Sequence, residues 1–385
     1  MLAVVHSIHF PVSARNFVMP MVACLNQDGI DAELWFENRP DHQGIISQTF
    51  VPQRHLGTDF TPNPLTFCRR LDQYRKQLRA ARPTIIHAHQ MRASVIPLLA
   101  GYLEHVPVRV YHNHGLPYLG YRGALRRLLR GLERLNIRLA THVLLVSHSN
   151  LEAARADRLL PDSRGTVLAA GSAVGIDLSE FSLEKFNDLA RISARKKLGI
   201  AGNPFVLAYV GRPVRRKGFQ LLLNTWAQSW LSSKGHVLLV AGCTPAECEQ
   251  ARGRPIQGVN GLGYLPDLKE FYAASDAVVL PSEHEGFPYS LLEGAAAQRA
   301  LIGTDIAGIR CAILPGDTGL LVPVRNEEAL RLAVERLASD PALCRRFGQN
   351  ARQRVEREFD RKIVLKSLLD FYHAELLRDK PESQP

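Results

Sequence analysis

The chain has 385 residues, is 46% hydrophobic and 22% charged, and carries a net charge of +11. That length exceeds one ordinary core and predicts two domains of soluble, globular type. No apolar run reaches the roughly 18 residues of a spanning helix, and the N-terminus lacks the basic start of a secretory signal, so the expected location is cytoplasmic.

The six cysteines are scattered without a Cys-x-x-Cys pair, which reads as reduced thiols rather than a disulfide framework. The positive excess calls for an anionic partner. No nucleic-acid motif accompanies it, which favours a phosphorylated substrate or a lipid surface over nucleic acid.

Taken in chain order, short apolar runs predict strands at 3–7, 32–36, 84–89, 108–112, 142–147 and 166–170. A second set follows at 205–210, 236–241, 258–263, 276–280, 300–304 and 319–322. Helical patterns lie between most of them, so the fold class is α/β with two parallel sheets and crossover connections. The break falls in 171–187, which has little periodicity. Residues 37–64 read as a long polar loop. From Asn326 the chain is almost wholly helical to Leu377, and its last residues read as a frayed tail.

Between residues 121 and 140, Arg122, Arg126, Arg130, Arg134 and Arg138 recur at helical spacing with Arg127 beside them. Leucines fall between, which predicts a basic amphipathic helix. Its simple reading puts the leucines in the core and the arginines in water. Its sharper reading lays Arg122, Arg126, Arg127, Arg130 and Arg134 on anionic lipid headgroups.

Histidines gather at predicted strand ends: His6, His9, His87, His89, His112 and His114. Their pairs lie on separate strands without a metal-type spacing, so core or capping roles are expected for several and no metal is assigned. His114 follows a strand and is placed at the ligand-binding edge of its sheet. Asp177 and Asp305 also lie near predicted strand ends. In the second half, a strand runs into Gly211-Arg-Pro-Val-Arg-Arg-Lys-Gly218. Gly211 permits close backbone approach, and Arg212 and Lys217 can clamp a diphosphate. The segment Glu283-His-Glu285-Gly-Phe-Pro-Tyr-Ser-Leu-Leu-Glu293 then places Glu285 at a strand end and Glu293 one to two turns into a helix begun by Pro288. Two carboxylates there can hold the hydroxyls of a polyol, and the helix start can hold a phosphate.

These motifs together resemble the retaining glycosyltransferases of family 4. The resemblance rests on the Glu285 and Glu293 segment, on Val210 to Gly218, on Gly171-x-x-x-Gly-Ile-Asp177, and on Gly263-Tyr-Leu-Pro-Asp with Phe-Tyr-x-x-Ser-Asp after it. It implies the GT-B fold: an acceptor-binding Rossmann-like domain over 1–176, a nucleotide-sugar-binding one over 177–360, a central cleft, and a C-terminal helix over 361–378 that crosses back to the first domain. It implies that Arg212 and Lys217 bind the donor diphosphate, Glu293 the ribose and Glu285 the donor sugar. Gly286, Phe287 and Pro288 would help to hold phosphate, Tyr264 and Leu265 would border the base, and His114 would sit near the transferred sugar.

The family needs neither metal nor cofactor. The expected reaction moves a sugar, with retention, from a nucleotide diphosphate (UDP first) to a lipid-linked or glycan acceptor of cell-surface polysaccharide or lipopolysaccharide assembly. The alternatives are a UDP-sugar epimerase or a non-catalytic binding protein on the same fold. Two departures stand out. The Gly-rich turn usual after the first strand is replaced by Ser7-Ile-His-Phe-Pro-Val-Ser-Ala-Arg-Asn16, where Ser13 or Arg15 can take over contacts. The usual Gly and Pro after Glu293 are also missing.

Overall fold

A computed structural model describes residues 2–9, 13–37, 51–253 and 255–378. The chain divides into two compact units, Met1–Gly175 with Arg361–Pro385, and Ile176–Asp360.

The first unit is a parallel sheet of β1 (Val4–Ile8), β2 (Ala32–Phe36), β3 (Gln53–His55), β4 (Ile85–His89), β5 (Val108–Asn113), β6 (His142–Leu145) and β7 (Thr166–Val167). Its order is β3-β2-β1-β4-β5-β6-β7. The second unit repeats this plan with β8 (Val206–Val210), β9 (Val237–Ala241), β10 (Val259–Gly261), β11 (Ala277–Leu280), β12 (Ala300–Thr304) and β13 (Gly319–Val322), in the order β10-β9-β8-β11-β12-β13. Both orders reverse direction beside the first strand, as in the doubly wound Rossmann fold, and ligands bind at that reversal.

Strands covered on both faces are buried along their length and mostly apolar. β1, β4 and β11 are accordingly buried at every position. In the first unit Trp35, Ile86, Tyr111 and Leu145 share a core with Tyr74, Leu98 and Ile137 from helices. In the second, Leu207, Val240, Val279 and Ile302 pack against Trp226, Leu337 and Phe347. Each such side chain contributes about 1.5–3 kcal/mol of burial.

The helix Arg361–Arg378 belongs to the first unit although it follows the second in sequence. Val364, Leu368 and Tyr372, four residues apart, form its buried seam. Ser367 accepts a bond from the Ala169 N–H at 3.2 Å, and His373 meets Asp28 at 2.6 Å.

Two readings of the sequence are corrected here. Part of the expected polar loop pairs with β2 as the edge strand β3. Residues 38–50 of that loop lie outside the described residues. The second correction concerns the basic helix, Gly123–Leu139. Its leucines form only part of the buried face: Leu139 is buried and Leu129 packs on the core, but Leu125, Leu128 and Leu135 are exposed. Polar side chains point inward beside them. Glu133 is fully buried and accepts bonds from the Tyr111 hydroxyl at 2.6 Å and from Asn113. Asn136 donates to the Met91 carbonyl at 2.7 Å. That inward face also turns Arg126 and Arg130 toward the domain, where Arg126 pairs with Asp157 at 3.0 Å and Arg130 donates to the Asp157 carbonyl. Arg122, Arg127, Arg134 and Arg138 remain exposed.

Burial pushes the Glu133 carboxyl up to about 8, against the opposing bonds from Tyr111 and Asn113. A carboxyl whose folded pKa lies above its unfolded value keeps its proton in the fold. Its contribution to stability therefore falls as pH rises across the window from the ordinary 4.5 to about 8, by at most about 1.4 kcal/mol per pH unit. Thermal melts between pH 5 and 8 are expected to show Glu133→Gln with a flatter stability profile than wild type; identical slopes would rule out this burial effect.

Candidate active site

β8 and β11 are adjacent in the sheet although some 70 residues separate them, so their carboxyl ends form the reversal point of the second unit. The loop after β8 carries Gly211, Arg212 and Lys217; the loop after β11 carries Ser282, Glu285 and Gly286. Backbone contacts lock the two together. Glu283 N–H donates to the Arg216 carbonyl at 2.9 Å. Gly218 adopts φ +68°, and a Cβ there would lie 2.0 Å from the Pro281 carbonyl oxygen. No residue with a side chain fits that turn. Behind it, a Cβ at Gly308 would lie 2.1 Å from the Glu285 carbonyl oxygen.

This clamp sets the central pair. Lys217 Nζ donates to Glu285 Oε1 at 2.6 Å, and Ser282 Oγ donates to the same oxygen at 2.6 Å. The Glu285 side chain is 9% exposed and that of Lys217 22%. Among the described residues Glu285 Oε2 has no protein partner, and two of the three ammonium donors of Lys217 are unused. Arg212 is exposed, without an ion pair among the described residues. Next to this pair, Glu283 is held by Arg325 through both carboxylate oxygens.

The helix after Glu285 runs Tyr289–Ala296, with Pro288 as its N-cap rather than inside its first turn. Gly294 packs so closely on β11 that a Cβ would lie 2.5 Å from Val278. That fixes the helix, and with it Glu293, whose Oε2 accepts from the buried Tyr272 hydroxyl at 2.8 Å. Burial raises the Glu293 carboxyl to about 7, while the Tyr272 bond acts in the other direction. Gly286 is half-buried, Pro288 is buried, and the Phe287 ring packs on Tyr289 and Phe359. Gly211 N–H bonds the Ala241 carbonyl at 3.0 Å, and Gly242 N–H bonds Gly263 at 2.7 Å, so the ends of β8, β9 and β10 form one rim. Tyr264 extends from that rim, 81% exposed, beside the half-buried Leu265. Asp305 is taken up by Arg310 at 2.5 Å, and Asp177 by Ser179.

The expected donor-site residues thus gather at one sheet edge of the second unit. His114 belongs to the first unit. There it follows β5, half-buried, with Phe17 edge-on at 6.0 Å. Ser13 precedes a single wide helical turn, Ala14–Val18, and makes no side-chain cap; Arg15 lies within that turn, exposed, and bonds Asn16.

Two clusters of the first unit escaped the sequence. His9 lies against Glu37 at 3.0 Å and Asp59 at 3.5 Å, and Arg70 and Arg92 hold those acids in turn. The other histidines, spread over three segments of sequence, are neighbours because parallel register places His6 opposite His87 and His89 opposite His112. Register follows from strand order, which spacing alone does not reveal. Two trios, His6/His87/His89 and His89/His112/His114, bring their nitrogens within 4.8 Å. The rings of the first trio stack, with His87 and His89 4.3 Å apart and 7° from parallel. Burial lowers His114 to about 4 and His6 to about 3, and holds His87, His89 and His112 well below the usual histidine range. All five are neutral at physiological pH. The six cysteines are free, although Cys243 and Cys248 bring their sulfurs to 3.2 Å.

Comparison with known proteins accounts for both units. A family model described as "Glycosyl transferase 4-like domain" matches residues 14–171, and "Glycosyl transferases group 1" matches 190–354. A crystal structure of HepE from Anabaena in complex with UDP has a TM-score of 0.79 over 97% of this chain and 99% of that one, at 16% identity. The chain is a glycosyltransferase of the GT-B type. This glycosyltransferase is 27% identical to the capsular polysaccharide biosynthesis glycosyltransferase CapM of Staphylococcus aureus, over 76% of this chain and 77% of that one. It is 26% identical to N,N'-diacetylbacillosaminyl-diphospho-undecaprenol alpha-1,3-N-acetylgalactosaminyltransferase of Campylobacter jejuni, over 80% of this chain and 82% of that one.

Proposed function

We propose that this glycosyltransferase moves a sugar, with retention and without a metal or cofactor, from a UDP-sugar to a lipid-linked or glycan acceptor in cell-surface polysaccharide or lipopolysaccharide assembly. The observation that carries the donor half is the Lys217–Glu285 pair at the β8/β11 reversal, with one carboxylate oxygen and two ammonium donors unspent. The relatives named above supply the kinds of donor and acceptor. Glu285 Oε2 accepts from hydroxyls of the donor sugar, and Glu293 from those of the ribose. Arg212, Lys217, the Gly286–Pro288 backbone and the start of the Tyr289–Ala296 helix face the diphosphate.

As the sugar–phosphate bond breaks, negative charge grows on the leaving nucleotide. Fixed positive groups and a helix N-terminus stabilise that charge where it develops. Tyr264 and Leu265 border the base. The first unit takes the acceptor.

Glu285→Gln is expected to lower transfer by about a hundredfold or more while leaving the fold intact, as judged by circular dichroism and thermal melting. Near-normal transfer would remove the assignment. Incubation with donor alone separates this reading from an epimerase, which would convert the sugar without acceptor. The anomeric configuration of the product, read by NMR, tests retention, and activity in chelator tests independence from metal.

No helix among the described residues is long and apolar enough to cross a membrane. A peripheral contact with anionic lipid fits the exposed leucines of the Gly123–Leu139 helix, which lie beside exposed Arg127, Arg134 and Arg138. Arg122 extends that patch at the helix start, whereas Arg126 and Arg130 are occupied by Asp157. The expected result is that Leu125→Glu with Arg134→Glu abolishes co-sedimentation with phosphatidylglycerol vesicles. Unchanged sedimentation would reduce the helix to a solvated surface.

A further inference from the structure

The buried histidines of the first unit form a single continuous chain with one tyrosine at its centre. His114 Nε2 lies 3.1 Å from His89 Nδ1, and His89 Nε2 lies 3.0 Å from His6 Nδ1. His6 Nε2 lies 3.1 Å from the Tyr372 hydroxyl, which in turn bonds His87 Nδ1. His87 Nε2 lies 3.1 Å from His112 Nδ1. Tyr372 comes from the helix Arg361–Arg378 and is fully buried.

A neutral imidazole has one N–H and one bare nitrogen, and a phenol both donates and accepts. Six such groups with one proton each satisfy all five contacts and also use the Tyr372 proton only if every bond in the chain points the same way; a phenol oxygen accepting from both His6 and His87 would leave a buried O–H idle. Two such all-neutral arrangements exist. In one, His114 donates from Nε2 to His89, and its remaining nitrogen, Nδ1, is bare. In the other, His89 donates to His114, and Nδ1 of His114 carries the proton. A bond reversed in mid-chain would place two N–H groups, or two lone pairs, face to face in a buried site, which costs the full penalty of unsatisfied polar groups. The chain is therefore cooperative. The tautomer of His114 is thereby tied to that of His112 by way of His89, His6, Tyr372 and His87, although the rings of His112 and His114 themselves lie 4.9 Å apart.

We propose that Tyr372 is a positioning residue that ties the tautomer of His114 to that of His112 through this chain, and so takes part in setting whether the outer nitrogen of His114 donates to, or accepts from, the bound substrate. The functional half of this proposal rests on the reading of His114 as a sugar-site residue. The structural half does not. Tyr372 is suited to the task because a phenol, unlike a protonated histidine, relays a bond in a buried site without taking on charge. It also makes the docking of the C-terminal helix a condition for an ordered His114: with the helix away, His6 and His87 each lose a partner, and the chain splits into His114–His89–His6 and His87–His112.

The test is Tyr372→Phe, which removes the hydroxyl and keeps the ring. Imidazole nitrogen shifts of the 15N-histidine-labelled protein report which nitrogen of His114 carries the proton. Wild type is expected to show His114 and His112 protonated on the same nitrogen, both Nε2 or both Nδ1, and Tyr372→Phe to lose that match. With donor and acceptor present, the variant is expected to lose about tenfold in kcat with little change in the donor KM, as outer partners of an oriented histidine do. If Tyr372→Phe fails to fold, His87→Phe cuts the same chain one link further on and is read in the same way. An unchanged match between the His114 and His112 tautomers in either folded variant would overturn the proposal, as would a stoichiometric metal ion found on these nitrogens. Full activity of His114→Ala would instead sink the sugar-site reading and leave the tautomer result standing.

Discussion

The sheet edge of the second unit centres on one part-buried ion pair, Lys217 with Glu285, held where the order of its sheet reverses. Such a pair is costly to bury and is stable only where its geometry is enforced. Two glycines enforce it. Gly218 presses its turn onto Pro281, and Gly308 presses onto the backbone of Glu285 itself. The surrounding elements follow from this point. The close seat of Gly294 on Val278 aims Glu293, and the glycines of the neighbouring strand ends leave an open rim. What emerges is an edge that keeps one carboxylate oxygen of Glu285 and two donors of Lys217 unspent.

The first unit uses the same strand order for a different chemistry. Its reversal point is lined with neutral imidazoles rather than an ion pair, because burial strips their charge. Directional hydrogen bonds take over the ordering role that charge has in the second unit. The C-terminal helix supplies the central link through Tyr372, which gives the last segment of the chain a structural reason to return to the first unit.

Much of this was legible in the sequence because apolar runs and glycine turns are local signals. The twelve expected strands are all present, and the motifs around Gly218 and Glu285 fall at strand ends as their spacing required. What was missed is non-local. β3 is too short and polar to announce itself and exists by pairing with β2. The leucines of the basic helix were assigned to the core on pattern alone, but Glu133 and Asn136 find partners inside and rotate the helix, leaving Leu125 and Leu128 outside. The histidine chain depends on register between β1, β4 and β5 and on a tyrosine nearly three hundred residues from His87, which no spacing rule connects.

The central claim is that the β8/β11 edge binds a nucleotide diphosphate through Lys217 and the two glutamates. The most direct measurement is a thermal melt of the full chain titrated with UDP in the presence of chelator, for wild type and Lys217→Ala. The account predicts a melting temperature that rises with UDP concentration, equivalent to about 3 kcal/mol at a hundredfold excess over Kd, and a much smaller rise in the variant. A wild-type melt unmoved by UDP and by every other nucleoside diphosphate, or an equal rise in Lys217→Ala, would contradict it.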